Sequence, residues 1–127
     1  MTGLQLDETG LRTLVDRFYE RVRADAELGP VFNNAIHDWP EHLARLTDFW
    51  HSVMLTSGRY KGQPVPVHMK HRAHMTPALF QRWLGLWSET TAELMAPADA
   101  AVLQEKAGRI GESLQLALFF RMPGTTA

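Results

Sequence analysis

The sequence predicts an all-α protein that forms a single domain over residues 1–127. Apolar residues recur at intervals of three and four in several long segments, and no segment alternates polar and apolar residues as a strand would. The length of 127 residues and the 45% content of hydrophobic residues are ordinary for one compact core. Glycine and proline fall between the periodic segments, where helices end. We therefore expect about five or six helices.

The first two helical segments precede the middle of the chain. The first is "DETGLRTLVDRFYERVRADAELGP", with the apolar face Leu11, Leu14, Val15, Phe18, Tyr19 and Val22. Gly29 and Pro30 are predicted to end it, and "VFNNAI" is predicted to be a short turn. The next segment, "HDWPEHLARLTDFWHSVML", has Asp38 as its predicted N-cap and Pro40 in its first turn. Its apolar stripe is Trp39, Leu43, Leu46, Phe49, Trp50 and Val53.

The second half of the chain begins with the glycine-rich segment "TSGRYKGQPVP". Pro64 and Pro66 suit the entry to a short helix that runs through about His71. Thr76 and Pro77 are predicted to be the N-cap and first residue of a long helix, whose inward face is Leu79, Phe80, Trp83, Leu84, Trp87 and Leu94. A last helix is predicted after "APAD", with Leu103, Ala107, Ile110, Leu114 and Leu118 on its apolar face.

Composition excludes several classes of function. The formal net charge of −1 provides no basic excess for binding a phosphate backbone, so nucleic acid is not expected as a partner. The absence of cysteine excludes disulfides, thiolate zinc sites and thiol nucleophiles, and is compatible with a reducing cytoplasm. The sequence contains no basic and apolar leader and no long apolar run. We expect a cytoplasmic protein without a membrane partner, and a monomer, since no apolar surface segment indicates an obligate interface.

Three polar side chains share apolar helix faces. His42 precedes Leu46 by four residues, Tyr19 follows Val15 by four, and Trp83 lies on the inward face of the long helix. Each brings a hydrogen-bonding group into the interior, where an unmade hydrogen bond costs about 1–3 kcal/mol. One reading is that each side chain pairs with a backbone carbonyl, as in an ordinary core. The other is that together they line a site.

The histidine cluster favours the second reading. A planar cofactor bound on one side by His68 and lined on the other by Tyr19, His42 and Trp83 would account for all of these polar groups. His68 has apolar neighbours, whereas His71 lies within "KHR", which is typical of a solvated face. His74 falls in the link before the long helix. A zinc site requires three or four convergent ligands, for which "HMKHRAH" is poorly spaced. We favour His68 as the ligand.

The chain resembles the truncated haemoglobins, and specifically their third or P group. The resemblance is carried, in this order, by "RFYERVRAD..LGPVFNNAI", "DWPEHLARLTDFW", "GRYKGQPVPVH" and "FQRWLGLW". It implies a shortened globin fold, a two-over-two helical sandwich around a b-type haem. The segment "MKHRAHM" departs from the apolar or proline-containing link that follows the proximal histidine in the family. His71 therefore stays open as the alternative to His68.

The resemblance also implies roles for individual residues. His68 matches the proximal iron ligand, and the distal pocket is formed by Tyr19, His42, Leu46 and Trp83. Phe32 matches the phenylalanine that packs against the macrocycle, while Phe49 and Trp50 match an aromatic pair on the distal helix. Arg45 is expected to reach a haem propionate, because arginine and carboxylate form a strong charge-assisted pair. Weaker candidates for that task are Tyr60, Lys70 and Arg72.

Three functions are compatible with the sequence. The first is a haem protein that binds dioxygen, nitric oxide or carbon monoxide at a five-coordinate iron without turnover. The second is a haem enzyme for nitric oxide dioxygenation or peroxidase-like chemistry, which would require a separate reductase. The third is a helical interaction domain without a cofactor. Hydrogen-bond donors in the distal pocket would stabilise bound dioxygen, so we expect its release to be slow. Slow release is of little use to a protein that transports oxygen.

Overall fold

Five α-helices form the described part of the chain. The computed structural model describes residues 3–62, 68 and 74–119. The helices, in chain order, are α1 (Glu8–Ala24), α2 (Leu28–Ala35), α3 (Trp39–Leu55), α4 (Pro77–Leu94) and α5 (Pro97–Phe119). Within these described ranges, extended pairing is limited to one isolated bridge that joins Leu4 to Met95. The all-α prediction is confirmed.

The helices pack as two joined pairs. Helix α1 lies against α3, α4 lies along α5, and a contact between α1 and α4 joins the pairs. The predicted apolar face of α1 is fully buried at this centre, because it meets α2, α3 and α4. This is the two-over-two arrangement that the sequence predicted. It places side chains from α1, α3 and α4 beside one another.

Two helix starts follow the predicted capping chemistry. The carboxylate of Asp38 accepts a hydrogen bond from the Glu41 N–H at 3.2 Å, which caps α3. The hydroxyl of Thr76 accepts from the Leu79 N–H at 3.2 Å, which caps α4. Both helices carry proline in the first turn, where a backbone N–H has no intrahelical partner. The predicted boundaries of α3 and α4 are confirmed.

Helix α2 corrects the predicted stop at Gly29 and Pro30 and the predicted turn at "VFNNAI". These residues belong instead to a helix, Leu28–Ala35. The carboxylate of Asp25 accepts a hydrogen bond from the Leu28 N–H at 2.9 Å and so stabilises the start of this helix. Pro30 lies in the first turn, where its missing N–H is not needed. Gly29 and Pro30 therefore belong to the start of a helix, whereas the sequence pattern predicted that they end one.

Gly29 has a packing role in this corner of the fold. A Cβ atom at this position would lie 2.6 Å from the carbonyl oxygen of Arg23, near the end of α1. That distance is shorter than real Cβ contacts, so a larger residue would displace the backbone. Glycine thus permits α2 to start close against α1.

The last helix also starts earlier than predicted. Helix α5 begins at Pro97 and includes Asp99, whereas the sequence predicted a start after residue 99. The Ala100 N–H donates to the Ala96 carbonyl at 2.9 Å, which closes the first helical turn. Proline suits a first helical position and an acidic side chain is favourable in the first turn, so "PAD" starts the helix rather than preceding it.

The short helix predicted through His71 falls almost wholly outside the described residues. His68 itself has helical backbone. No helix in the described part of the chain is long and apolar enough to cross a membrane.

Three tryptophans stack through the centre of the molecule. The indole rings of Trp50 and Trp87 are 4.6 Å apart between centroids at an interplanar angle of 17°. Trp83 continues the stack at 6.2 Å from Trp87 and 3°. The Trp87 N–H donates to the Leu103 carbonyl of α5 at 3.1 Å, in a fully buried position. Trp87 therefore joins α3, α4 and α5.

We expect Trp87→Leu to lower the free energy of unfolding by about 2–4 kcal/mol, because it leaves a cavity and removes the hydrogen bond to Leu103. Urea titration followed by circular dichroism measures this change. Leu116→Ala is the control, since that side chain is 54% exposed and its removal should cost less than about 1 kcal/mol. Equal losses in the two variants would contradict the role given to Trp87.

Candidate functional site

A buried phenol is the centre of the candidate site. Tyr19 of α1 is only 3% exposed. Burial raises its pKa to about 12, and a hydrogen bond with the Trp83 side chain acts in the opposite direction. The phenol is therefore neutral over the whole physiological pH range. This contact joins α1 to α4.

The direction of the hydrogen bond determines what Tyr19 can do. An indole N–H can only donate, so Trp83 cannot accept the phenol proton, and that proton is available to a further acceptor. Trp87, one helical turn along α4, donates instead to the Leu103 carbonyl. Trp87 is thus an inward tryptophan that pairs with a backbone carbonyl, as in an ordinary core. Trp83 pairs with another inward side chain.

His42 of α3 lies beside the phenol. Its imidazole is edge-on to the Tyr19 ring with centroids 6.3 Å apart, and it is half-buried. The pKa of His42 is lowered, first by burial and then by the positive charges of Arg45 and His68, while Glu41 opposes the shift. The imidazole is therefore held in its neutral form at neutral pH. Tyr19, His42 and Trp83, which the sequence placed together, meet in the structure.

His68 lies within electrostatic range of this group. It is half-buried, and its charge is one cause of the lowered pKa of His42. His74 is described as well and is exposed. His71 falls outside the described residues, as do the candidates Lys70 and Arg72. The structure thus brings His68 toward the distal residues and leaves His74 at the surface.

Aromatic side chains extend the site along two edges. The Phe32 ring of α2 lies 5.9 Å from the Tyr19 ring. Further along α3, Phe49 packs edge-on against Tyr60 at 5.1 Å and against Trp50 at 5.6 Å. Phe32, Phe49 and Tyr60 are half-buried, as is the other predicted lining residue of α3, Leu46. Trp50, in contrast, is turned into the tryptophan stack of the core.

Arg45 is at the solvent edge of the site. Its guanidinium pairs with the Glu41 carboxylate one turn earlier in α3, and its side chain is 65% exposed. An exposed pair of this kind contributes little to stability. Arg45 can therefore exchange Glu41 for another carboxylate without a large cost to the fold.

Trp39 is a site residue that the sequence analysis assigned only to the apolar stripe of α3. Its ring lies 6.1 Å from the Tyr19 ring and 5.7 Å from the His42 ring. The guanidinium of Arg23 covers its outer side, 4.5 Å from the ring centroid. The position of Trp39 three residues before His42 on the same stripe would have indicated this contact.

The donor set of this site fits an iron porphyrin. A half-buried imidazole, His68, comes from a separate segment, and a neutral phenol and an indole face the interior near a second imidazole. A porphyrin needs one axial nitrogen ligand, aromatic and aliphatic contacts for its plane, and cations at its carboxylates. Phe32, Leu46 and Arg45 are of the kinds required.

Comparison with known proteins gives consistent results. No protein-family model matches the chain. A group 3 truncated hemoglobin from Campylobacter jejuni is 32% identical over 118 residues, which cover 90% of this chain and 92% of that protein. The crystal structure of a group III truncated hemoglobin from Campylobacter jejuni superposes with a TM-score of 0.82 at 32% identity. It covers 99% of this chain and 100% of the other.

We expect one phenol to ionise near pH 12 and to do so only in proteins that retain Tyr19. Ultraviolet absorbance of phenolate, read in the first milliseconds after a jump to alkaline pH, measures this before unfolding. Tyr19→Phe should abolish the late step and Tyr60→Phe should keep it. A late step that survives in Tyr19→Phe would show that the buried phenol is not the high-pKa group.

Proposed function

Because this chain belongs to the group 3 truncated haemoglobins, and so is a globin-type haem protein, we propose that it binds haem b through His68 and a diatomic ligand beside Tyr19. The ligands that we propose are dioxygen, nitric oxide and carbon monoxide. The observation that carries the proposal is the Tyr19 hydroxyl, a buried and neutral donor beside the Trp83 indole, which cannot accept its proton. An ordinary core has no use for such a spare buried donor.

The haem, when bound, would supply a ferrous iron that binds the diatomic ligand. His68 is the residue that would hold the iron, and Phe32 and Leu46 would contact the porphyrin plane. Arg45 would exchange Glu41 for a haem propionate. His71, Lys70 and Arg72 keep the roles that the sequence gave them as alternatives.

The distal side chains would retain the ligand. The Tyr19 hydroxyl donates to a ligand atom that carries partial negative charge, and the Trp83 N–H holds the phenol oxygen in place. Burial makes such a donor more effective than it would be in water, because no solvent competes for the acceptor. The protein should therefore release dioxygen slowly, which favours sensing, scavenging or ligand chemistry over oxygen transport.

Turnover of the ligand is a second candidate function. His42 supports it, because its ring centroid lies 6.3 Å from that of Tyr19 and its lowered pKa keeps the imidazole neutral, so that it can accept a proton. Nitric oxide dioxygenation or peroxidase-like chemistry would then need a separate reductase. We propose a cytoplasmic monomer for either function. Steady-state nitric oxide consumption with an electron donor separates turnover from simple binding.

We expect His68→Ala to lose the five-coordinate haem spectrum and to recover it when imidazole is added, because the free ligand can replace the missing side chain. Absorption of the Soret band and the visible bands measures both steps. His74→Ala is the control and should keep the parent spectrum, since His74 is exposed. An unchanged spectrum in His68→Ala would transfer the axial role to His71.

We expect Tyr19→Phe to release dioxygen about 10–100 times faster, since a hydrogen bond to a charged acceptor is worth roughly 1.5–3 kcal/mol. Stopped-flow displacement of dioxygen by carbon monoxide measures the rate. Tyr60→Phe is the matched control, because that phenol packs against Phe49 rather than Trp83. Equal rates in Tyr19→Phe and the parent would show that the hydroxyl does not reach the ligand.

A further inference from the structure

One carboxylate joins three helices, of which α1 bears Tyr19, α2 bears Phe32 and α4 bears Trp83. Asp25 follows the last residue of α1, and its side chain is 6% exposed. Its Oδ2 atom accepts hydrogen bonds from the backbone N–H groups of Glu27 and Leu28, at 3.0 and 2.9 Å. Its Oδ1 atom accepts from two guanidinium nitrogens of Arg82, at 2.9 and 2.6 Å. The two oxygens thus bind α2 and α4 separately.

Asp25 and its partner Arg82 are close in sequence to the distal residues Tyr19 and Trp83. Arg82 immediately precedes Trp83 in α4. Asp25 lies less than two helical turns after Tyr19, and the α2 helix that it caps carries Phe32. A shift of α4 relative to α1 at this point would move the indole relative to the phenol.

We propose that the Asp25–Arg82 ion pair positions the Trp83 indole beside the Tyr19 hydroxyl, so that Asp25 and Arg82 are positioning residues for the distal donor. The ligand-retention part of this inference rests on the proposed function. The positioning part concerns side chains of this chain alone and is read from the Trp83 indole N–H rather than from ligand release.

The geometry of the pair suits positioning more than simple attraction. Because two nitrogens of Arg82 share one oxygen of Asp25, and the other oxygen is held by the start of α2, the carboxylate has little freedom to rotate. The Arg82 guanidinium and the Leu28 N–H also hold the pKa of Asp25 below its usual range, so the carboxylate remains charged. The nearby carboxylates of Glu27 and Glu89 contribute to the raised pKa of Arg82, so its guanidinium also remains charged.

A second clamp between α1 and α4 provides a matched comparison. Arg21 donates to Glu93 at 2.8 Å and to the Thr90 hydroxyl at 3.1 Å, two to three turns further along α4 than Arg82. Loss of this clamp should loosen the same helix pair at a point distant from Trp83. Glu93→Gln therefore removes an α1–α4 ion pair without touching the candidate positioning pair.

The experiment uses the carbon monoxide form of the haem-loaded protein with ¹⁵N-labelled indoles. The Trp83 indole N–H resonance is assigned from Trp83→Phe, and Trp87, which is bonded to Leu103, is the internal reference. In Arg82→Gln, which keeps the cap on α2, we expect the Trp83 resonance to shift and its exchange with water to become about 10 times faster or more. The Trp87 resonance should stay in place.

Asp25→Asn tests the other partner, since an asparagine oxygen can still accept from the Leu28 N–H. It should change the Trp83 resonance as Arg82→Gln does, and the double variant should change it no further, because both substitutions remove one interaction. Arg82→Lys should restore part of the parent behaviour. An unmoved Trp83 resonance in Arg82→Gln, or an equal change in Glu93→Gln, would overturn the proposal.

Dioxygen release separates this inference from the proposed function. We expect dioxygen release about 3–10 times faster in Arg82→Gln and unchanged in Glu93→Gln. A misplaced distal donor makes a weaker hydrogen bond to the ligand, and a weaker bond retains the ligand for a shorter time. If Trp83 moves while Tyr19→Phe leaves release unchanged, positioning holds and the proposed ligand contact fails. If Tyr19→Phe speeds release while Arg82→Gln moves neither Trp83 nor release, the ligand contact holds and positioning fails.

Discussion

The buried contact of the Tyr19 hydroxyl with the Trp83 indole is the interaction on which the site depends. The indole cannot accept the phenolic proton, so that proton is left to point elsewhere. Burial keeps that proton in place, because it raises the pKa of Tyr19 to about 12. A neutral donor in a dry interior is what a weakly basic diatomic ligand requires. The family membership of the chain and the position of His42 beside the phenol agree with this arrangement.

The rest of the molecule holds this donor in position. Trp87 and Trp50 form a rigid stack behind Trp83, and the Trp87 hydrogen bond to α5 ties the stack to the second helix pair. Trp83 and Trp87, which lie one helical turn apart on α4, thus have different roles. Trp87 is satisfied by backbone and belongs to the core, whereas Trp83 is satisfied by Tyr19 and belongs to the site. The Asp25 carboxylate completes the frame at the point where α1, α2 and α4 meet.

Features encoded locally could be predicted from the sequence. The face of α1 and the caps Asp38 and Thr76 follow from spacing and side-chain chemistry within a few residues. Helix α2 was missed because its start depends on a carboxylate outside the helix and on the close approach of Gly29 to α1, neither of which appears as periodicity. The inward direction of Tyr19 and Trp83 was predicted, but their mutual hydrogen bond was not, since it joins distant segments. Trp39 was recognised as apolar and not as a neighbour of Tyr19 for the same reason.

We expect the Tyr19 proton to point at the ligand. Infrared absorption of the carbon monoxide form tests this most directly, because a donor near the ligand oxygen lowers the carbon–oxygen stretching frequency relative to an apolar pocket. The expected result is a low frequency in the parent protein, a clear rise in Tyr19→Phe and no rise in Tyr60→Phe. A frequency that is the same in the parent and in Tyr19→Phe would contradict it.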